Sequence, residues 1–234
     1  MQRLVICSDV HGFYDELMEA LDKVNFNSES DLFISLGDNI DRGPKPKEVI
    51  NFMLSLPNKV LIKGNHCDLF ETFCTRGYPL SHDWSNGTAD SILSLAPKAK
   101  NWKVACAVAY EKVKPMLDIM VDYYETKHYI FTHGYLSKGD DWRYANSRKW
   151  EQARWFNGIE KAMFDYTFDK CVVVGHYHTS WGHAKLGECS EFGEDADFSP
   201  FYYKDKLIAI DGCTVYTHKV NVLVLEDELL EEAK

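Results

Sequence analysis

Short apolar runs and amphipathic stretches alternate through the first third of the chain. Residues 4–7, 32–36 and 59–62 are brief runs rich in apolar and β-branched side chains, the mark of buried strands. Between them, residues 14–24 and 46–56 carry the helical period. In the first amphipathic segment Leu17, Leu21 and Val24 share one face while Asp15, Glu16, Glu19, Asp22 and Lys23 fill the other, so this helix lays one side on a sheet. The order is β-α-β-α-β.

The pattern then changes. Residues 78–126 have mostly helical composition, a long apolar run at 104–110 and interruptions by Trp and Pro, which predicts a helical insertion or cap. Strand patterns return at residues 129–132 and 171–174, separated by a helical-looking segment at 148–164, and the chain closes with strands at 207–210 and 220–225. No internal repeat interrupts this order, and one domain over residues 1–234 is expected.

Length and composition agree: 234 residues, 45% hydrophobic and 26% charged, are enough for one sizeable core. No run approaches the roughly 18 apolar residues of a membrane span, and Met1 leads directly into a strand-like run, so a cytoplasmic location is expected. The cysteines number seven, are scattered and form no C-x-x-C pair, which disfavours a disulfide framework or a thiolate zinc site. A net charge of −10 argues against general nucleic-acid binding while leaving room for a local basic pocket that holds one phosphate. The acidic tail at 226–232 reads as a solvated end.

The chemistry lies in the loops behind the strands. Asp9 and His11 stand one residue apart just past a strand, where a carboxylate and an imidazole can reach the same ion. Asp38 follows Gly37 and is suited to bridge two cations. Asp41-Arg42-Gly43 adds a second carboxylate and a planar guanidinium able to grip two phosphate oxygens. Asn65 offers a neutral oxygen ligand, and His66 could protonate a leaving alkoxide. His133-Gly134 and Gly175-His176-Tyr177-His178 follow two later strands. A core histidine, a capped turn or a surface ion pair would account for any one of these residues. None of those readings explains why Asp, Asn and His recur behind five strands, where open α/β sheets place their ligand sites.

The ordered series D-x-H-G, G-D-x-x-D-R-G, G-N-H, H-G and G-H-x-H, spanning residues 8–178, resembles the calcineurin-like metallophosphoesterase superfamily. The intact Gly37–Gly43 motif brings it close to the small bacterial and phage serine/threonine phosphoprotein phosphatases; dinucleoside tetraphosphate hydrolases have a related pattern. The resemblance implies a four-layer α/β/β/α sandwich with a helical insertion and two divalent metal ions. Asp9, His11 and His178 would hold the first metal, Asp38 would bridge, and Asn65, His133 and His176 would hold the second. His66 would be the general acid, Asp41 its carboxylate partner, and Arg42 the phosphate ligand, with Asn65 and His66 also lining the substrate site. A second phosphate-binding arginine is expected among Arg143, Arg148 and Arg154, with Arg154 favoured by its place in 152–158, a packed helix end.

Two positions depart from the pattern. Cys67 stands where the family usually has an acidic residue, with Asp68 adjacent, and His178 supplies a second histidine that the phosphoprotein phosphatases usually lack. His82, His128, His183 and His218 receive no role. Asp211 reads as a turn former or a group supporting the ligands from behind, and Trp142, Trp150 and Trp181 as helix-packing residues, with lining of the site's mouth as the alternative. Manganese is the expected metal, with iron, zinc and nickel compatible with the same oxygen and imidazole donors. The expected reaction is hydrolysis of phosphomonoesters, phosphoserine or phosphothreonine in proteins. The alternative is a dinucleoside polyphosphate or other nucleotide phosphohydrolase, and a non-catalytic scaffold is the reading from another class.

Overall fold

Alternation along strand β1 (Gln2–Cys7) sorts its side chains onto two faces, Leu4 and Ile6 on one and Val5 and Cys7 on the other, all four buried. That double burial sets up the layering of the whole chain. The computed structural model describes residues 1–137, 139, 141–164 and 168–230. In chain order β1 is followed by α1 (Tyr14–Lys23), β2 (Leu32–Ser35), α2 (Pro46–Ser55), β3 (Lys59–Leu61) and α3 (Asn65–Arg76). Three helices come next, α4 (Ser81–Ser85), α5 (Thr88–Leu95) and α6 (Trp102–Leu117), then strands β4 (Tyr123–Glu125) and β5 (Tyr129–Thr132). Helices α7 (Ser147–Ala153) and α8 (Gly158–Phe164) precede β6 (Cys171–Val174) and α9 (Thr179–Lys185), and β7 (Phe201–Tyr203), β8 (Leu207–Ala209), α10 (Thr214–Thr217) and β9 (Val222–Asp227) close the chain.

The strands form a four-stranded sheet in the order β3-β2-β1-β9 and a five-stranded sheet in the order β4-β5-β6-β8-β7. In the first, β1, β2 and β3 are parallel and β9 antiparallel; in the second, β5, β6 and β8 are parallel and β4 and β7 antiparallel. Leu4, Ile6, Ile34 and Leu36 meet Phe131, Val173, Ile208 and Ile210 between the sheets. Their alternating neighbours face outward: Val5, Cys7 and Phe33 pack on Leu17, Val49 and Met53, while Val172, Val174 and Leu207 pack on Trp150, Ala153 and Ile159. The result is the expected α/β/β/α sandwich. No helix among the described residues is long and apolar enough to cross a membrane.

Differences from the sequence reading are local. The segment at 148–164 breaks into α7 and α8, with Arg154 just past the end of α7. Strands β4 and β7 escaped notice because they are antiparallel edge strands whose side chains are mostly only partly buried, so neither shows a continuous apolar run. Within 78–126, α6 is fixed by the Asn101 side chain accepting from the Val104 N–H, and it buries Ala105, Ala109, Val113 and Met116 in a helical stripe. That stripe shares its core with Phe70 and Phe73 of α3 and Ile92 of α5, which extends the helical layer over the first sheet. Glu231 and Glu232 of the acidic tail lie outside the described residues.

Candidate active site

Five parallel strand ends bring their following loops together at one edge of the sandwich. Side chains there adopt left-handed backbone: φ is +51° at Asp9, +48° at His11, +49° at Asp38, +77° at Asp41, +67° at Arg42 and +63° at His176. Such conformations are costly for non-glycine residues and cluster at functional sites. The loops also touch backbone to backbone. A Cβ on Gly64 would lie 2.0 Å from Asp38 Oδ1, and one on Gly175 would lie 1.8 Å from Ser8 Oγ, so these two positions tolerate no side chain.

Asp38 sits at the centre. Its Oδ2 is 3.3 Å from His133 Nε2 and 4.0 Å from both His11 Nε2 and His66 Nε2. Ligand atoms of His11, Asp38 and His66 fall within 4.8 Å of one another, as do those of Asp38, His133 and His176, so Asp38 belongs to both groups. Asp9 adjoins the first group, with Oδ1 3.9 Å from His11 Nε2 and Oδ2 accepting the His176 backbone N–H at 2.9 Å. Asn65 adjoins the second, its Oδ1 2.9 Å from His133 Nε2. Thus Asp9, His11, Asp38, Asn65, His133 and His176 are gathered as expected.

The ring orientations suit metal binding. His11 Nδ1 donates to the Ile40 carbonyl at 3.1 Å and His133 Nδ1 to the Leu36 carbonyl at 2.8 Å, which turns both Nε2 atoms toward Asp38. His133 Nε2 therefore faces two oxygen acceptors, and a cation or a proton must lie there. Burial disfavours the proton, but Asp38 and Asp9 outweigh it and hold His133 up at about 9. Burial, with His66 and Arg42 beside it, pushes His11 well below the usual imidazole range, and burial with His133 takes His176 down to about 3. Burial alone would raise Asp38, yet His133 and His66 more than reverse it. Ionised Asp38 beside neutral His11 and His176 is a donor set that suits divalent cations, and a cation taking the place of the proton between His133 and Asp38 would complete it.

A second constellation adjoins the first. His66 Nδ1 donates to Asp41 Oδ2 at 2.8 Å, and the Thr88 hydroxyl donates to the same oxygen at 2.7 Å. Burial disfavours protonated His66, but Asp38 and Asp41 prevail and raise it. Arg42 spans the mouth, with Nη1 3.1 Å from His11 Nε2 and Nη2 3.2 Å from His66 Nε2. Sequence reasoning missed Thr88, and also Gly87, where a Cβ would lie 2.4 Å from the Arg42 nitrogen. Gly-Thr before an apolar run signals a helix start, but nothing local reveals its contact with a loop about fifty residues earlier.

Two expected participants are engaged elsewhere. Arg154 is 5% exposed, its Nη1 reaches both oxygens of Asp68 at 2.8 and 2.7 Å, and its Nη2 binds Asp122 at 2.5 Å, so its guanidinium is occupied by carboxylates. His178 belongs to neither donor group; its Nδ1 is 3.0 Å from Ser180 Oγ and its Nε2 3.3 Å from Glu191 Oε1. Arg143 pairs with Glu125. Cys67 points into the core against Met120, and Asp68 beside it carries the ion pair with Arg154. Asp211 accepts the Cys213 N–H at 2.8 Å, the turn-forming contact expected of it.

A carboxylate shared by two imidazole-bearing donor groups stands at the strand ends of a double-sheet sandwich, an arrangement that can hold a pair of divalent cations. The family profile described as calcineurin-like phosphoesterase matches residues 2–219. A symmetrical bis(5'-nucleosyl)-tetraphosphatase of Coxiella burnetii is 35% identical over 111 residues, covering 46% of this chain and 37% of its own. Serine/threonine-protein phosphatase 2 of Salmonella typhimurium is 41% identical over 71 residues, covering 29% and 32%. The chain spans only 21% to 37% of the length of the curated relatives it matches. A solved structure bearing a provisional diadenosine tetraphosphatase assignment superposes with a TM-score of 0.62 at 17% identity, covering 96% of this chain and 89% of its own, which supports the fold. The chain belongs to the calcineurin-like phosphoesterase family.

Proposed function

We propose that this chain is a metal-dependent hydrolase of phosphate esters that acts on nucleotide polyphosphates, cleaving a dinucleoside tetraphosphate into two nucleoside diphosphates with water as the nucleophile. The observation that carries the chemistry is Asp38 lying in both donor groups. The substrate assignment draws on the tetraphosphatases among the curated relatives, and it replaces phosphoprotein as the leading expectation. In this reading the chain is a single domain whose insertion at 78–126 braces the Asp41-Arg42 loop through Gly87 and Thr88.

Asp9, His11 and Asp38 would hold one divalent cation and Asp38, Asn65, His133 and His176 the other, with His178 left out; manganese is the expected metal. When bound, such a pair supplies Lewis acidity and a water of lowered pKa. Arg42 binds the phosphate as a bidentate donor. A phosphate drawing its guanidinium off both ring nitrogens frees His66 Nε2 to carry the proton that Asp38 and Asp41 favour. His66 then delivers that proton to the leaving oxygen while Asp41, held by Thr88, keeps the ring aligned. Arg154 acts by position, locking α3 through Asp68 to the end of α7. Seven free cysteines favour a reducing compartment such as the cytoplasm.

A second reading, phosphoserine and phosphothreonine in proteins, draws on the Salmonella relative and on the buried proton donor itself, since an alkoxide needs protonation more than a phosphate leaving group does. The test is metal-stripped protein resupplied with manganese, given diadenosine tetraphosphate, a phosphoserine peptide and para-nitrophenyl phosphate, beside Asp38→Asn. Two ADP per dinucleotide, at the highest kcat/KM of the three, is the expected result. Preference for the peptide would move the assignment to the second reading, and no turnover of any substrate would refute both.

A further inference from the structure

We propose that Phe192 and Tyr216, backed by Tyr177 and His178, form a stacking subsite for the planar base of a nucleotide at the mouth of the reactive cleft. This deepens the nucleotide reading and rests on it for the phosphate's position. The cleft, about 290 Å³, is lined by His11, Arg42 and His176 of the reactive centre together with Tyr177, His178 and Val215. Its outer wall continues as rings. Tyr177 stacks on His178 at 5.1 Å and 27°, His178 meets Phe192 at 4.8 Å, and Phe192 meets Tyr216 edge-on at 5.9 Å. Phe192 is 52% and Tyr216 58% exposed, and each is held by ring neighbours, His178 and Phe198 for the first and Phe192 and Phe198 for the second.

The wall also explains what His178 does. Instead of joining Asp38, its ring is tied to Ser180, whose hydroxyl donates to the Glu191 carbonyl at 2.7 Å, the residue preceding Phe192. His178 thus anchors the Phe192 loop to the strand end that carries His176. The reach separates two aromatic substrates. Successive ring centroids lie 6.4 Å apart from His176 to Tyr177, 5.1 Å from Tyr177 to His178 and 4.8 Å from His178 to Phe192, a chain of rings that leads from the reactive centre to Phe192. The ring of an aryl phosphate, one oxygen away from phosphorus, stops near the first step. A base carried on ribose and a further phosphate extends to the last.

The experiment compares wild type with Phe192→Ala and Tyr216→Ala, both at exposed positions that keep the core intact, using diadenosine tetraphosphate and the base-free anhydride tripolyphosphate. Loss of a base–aromatic stack is expected to raise KM for the dinucleotide, relative to KM for tripolyphosphate, by about 5- to 100-fold, with kcat for the dinucleotide moving far less. Phe192→Trp should restore the ratio. An unchanged ratio overturns the subsite while leaving the tetraphosphatase reading in place. Calorimetric titration of ADP onto the manganese-loaded protein gives an arm independent of turnover. ADP affinity that falls in Phe192→Ala, in a protein that cleaves no nucleotide, keeps the subsite and refutes the tetraphosphatase reading. ADP affinity indifferent to Phe192, or a Phe192 effect confined to a phosphotyrosine peptide, overturns the base subsite.

Discussion

Replacing Asp41 with Asn isolates the proton donor from the rest of the centre. Asp41 is fully buried, and its Oδ2 accepts from both His66 Nδ1 and Thr88. Asn keeps the shape, so packing is preserved, and what disappears is the charge that aligns His66 and favours its imidazolium. A hydrogen bond to a charged group contributes roughly 1.5–3 kcal/mol, equivalent to about 10- to 150-fold in kcat. The loss should depend on the leaving group. An alkyl phosphate such as β-glycerophosphate departs as a basic alkoxide and should suffer the full decrease, whereas para-nitrophenyl phosphate, whose leaving group is stable unprotonated, should lose only a few-fold. The pH profile carries a second signature. The active acid is protonated His66, raised in the folded protein, so alkyl-phosphate turnover falls as pH rises through its pKa, and Asp41→Asn should move that basic limb to lower pH. Steady-state kinetics on both substrates across pH decides the matter. Equal losses on the two substrates with an unmoved limb would refute the assignment of His66 as acid and Asp41 as its partner.

Three further outcomes are expected. His66→Asn should lower alkyl-phosphate turnover by about 10²- to 10⁴-fold while elemental analysis still finds both metals, and loss of metal would recast His66 as a ligand. His176→Ala should cost one equivalent of bound manganese and His178→Ala none, a contrast that mass spectrometry of the native protein can count. In the metal-free protein, His133 has a folded pKa raised to about 9 from an ordinary 6.5. Its contribution to stability is therefore fully present below the ordinary value and lost as pH rises through the folded one, so the apo Tm should fall across that window. The manganese-loaded protein should lack the slope, because a cation then takes the place of the proton.

What the sequence displayed and what it hid follow from the same geometry. The parallel strands were legible because both faces are buried, which makes each a continuous apolar run. The donor residues were legible because they stand directly behind those strands, where a motif of a few residues fixes their place. The contacts of Arg154 and His178 were not legible because they are set by partners remote in sequence or in a loop without periodicity: Asp68 and Asp122 for the first, Glu191 for the second. Thr88 was invisible for the same reason. Strands β4 and β7 were hidden by their antiparallel edge positions, where partial exposure breaks the apolar run that marks the equally short β3 and β8.

This division bears on how the protein separates reaction from recognition. Asp38, Asn65, Asp9 and His176 lie on segments pressed together at Gly64 and Gly175, where no Cβ fits, so their relative positions are fixed by the close approach of the Asp38 and the Ser8-Asp9 side chains to these glycines and by the inter-sheet core beneath. A change of even one methyl group there shifts donor atoms that must meet within 4.8 Å. The aromatic wall is held differently, by exposed ring contacts and by Ser180 bonding to the Glu191 carbonyl, and its residues can be exchanged without disturbing Asp38. The loop motifs favour phosphoprotein and leave nucleotide as the alternative, because the reaction residues they contain serve both; in the proposed subsite it is the Phe192 loop, which no motif covers, where the two readings would part.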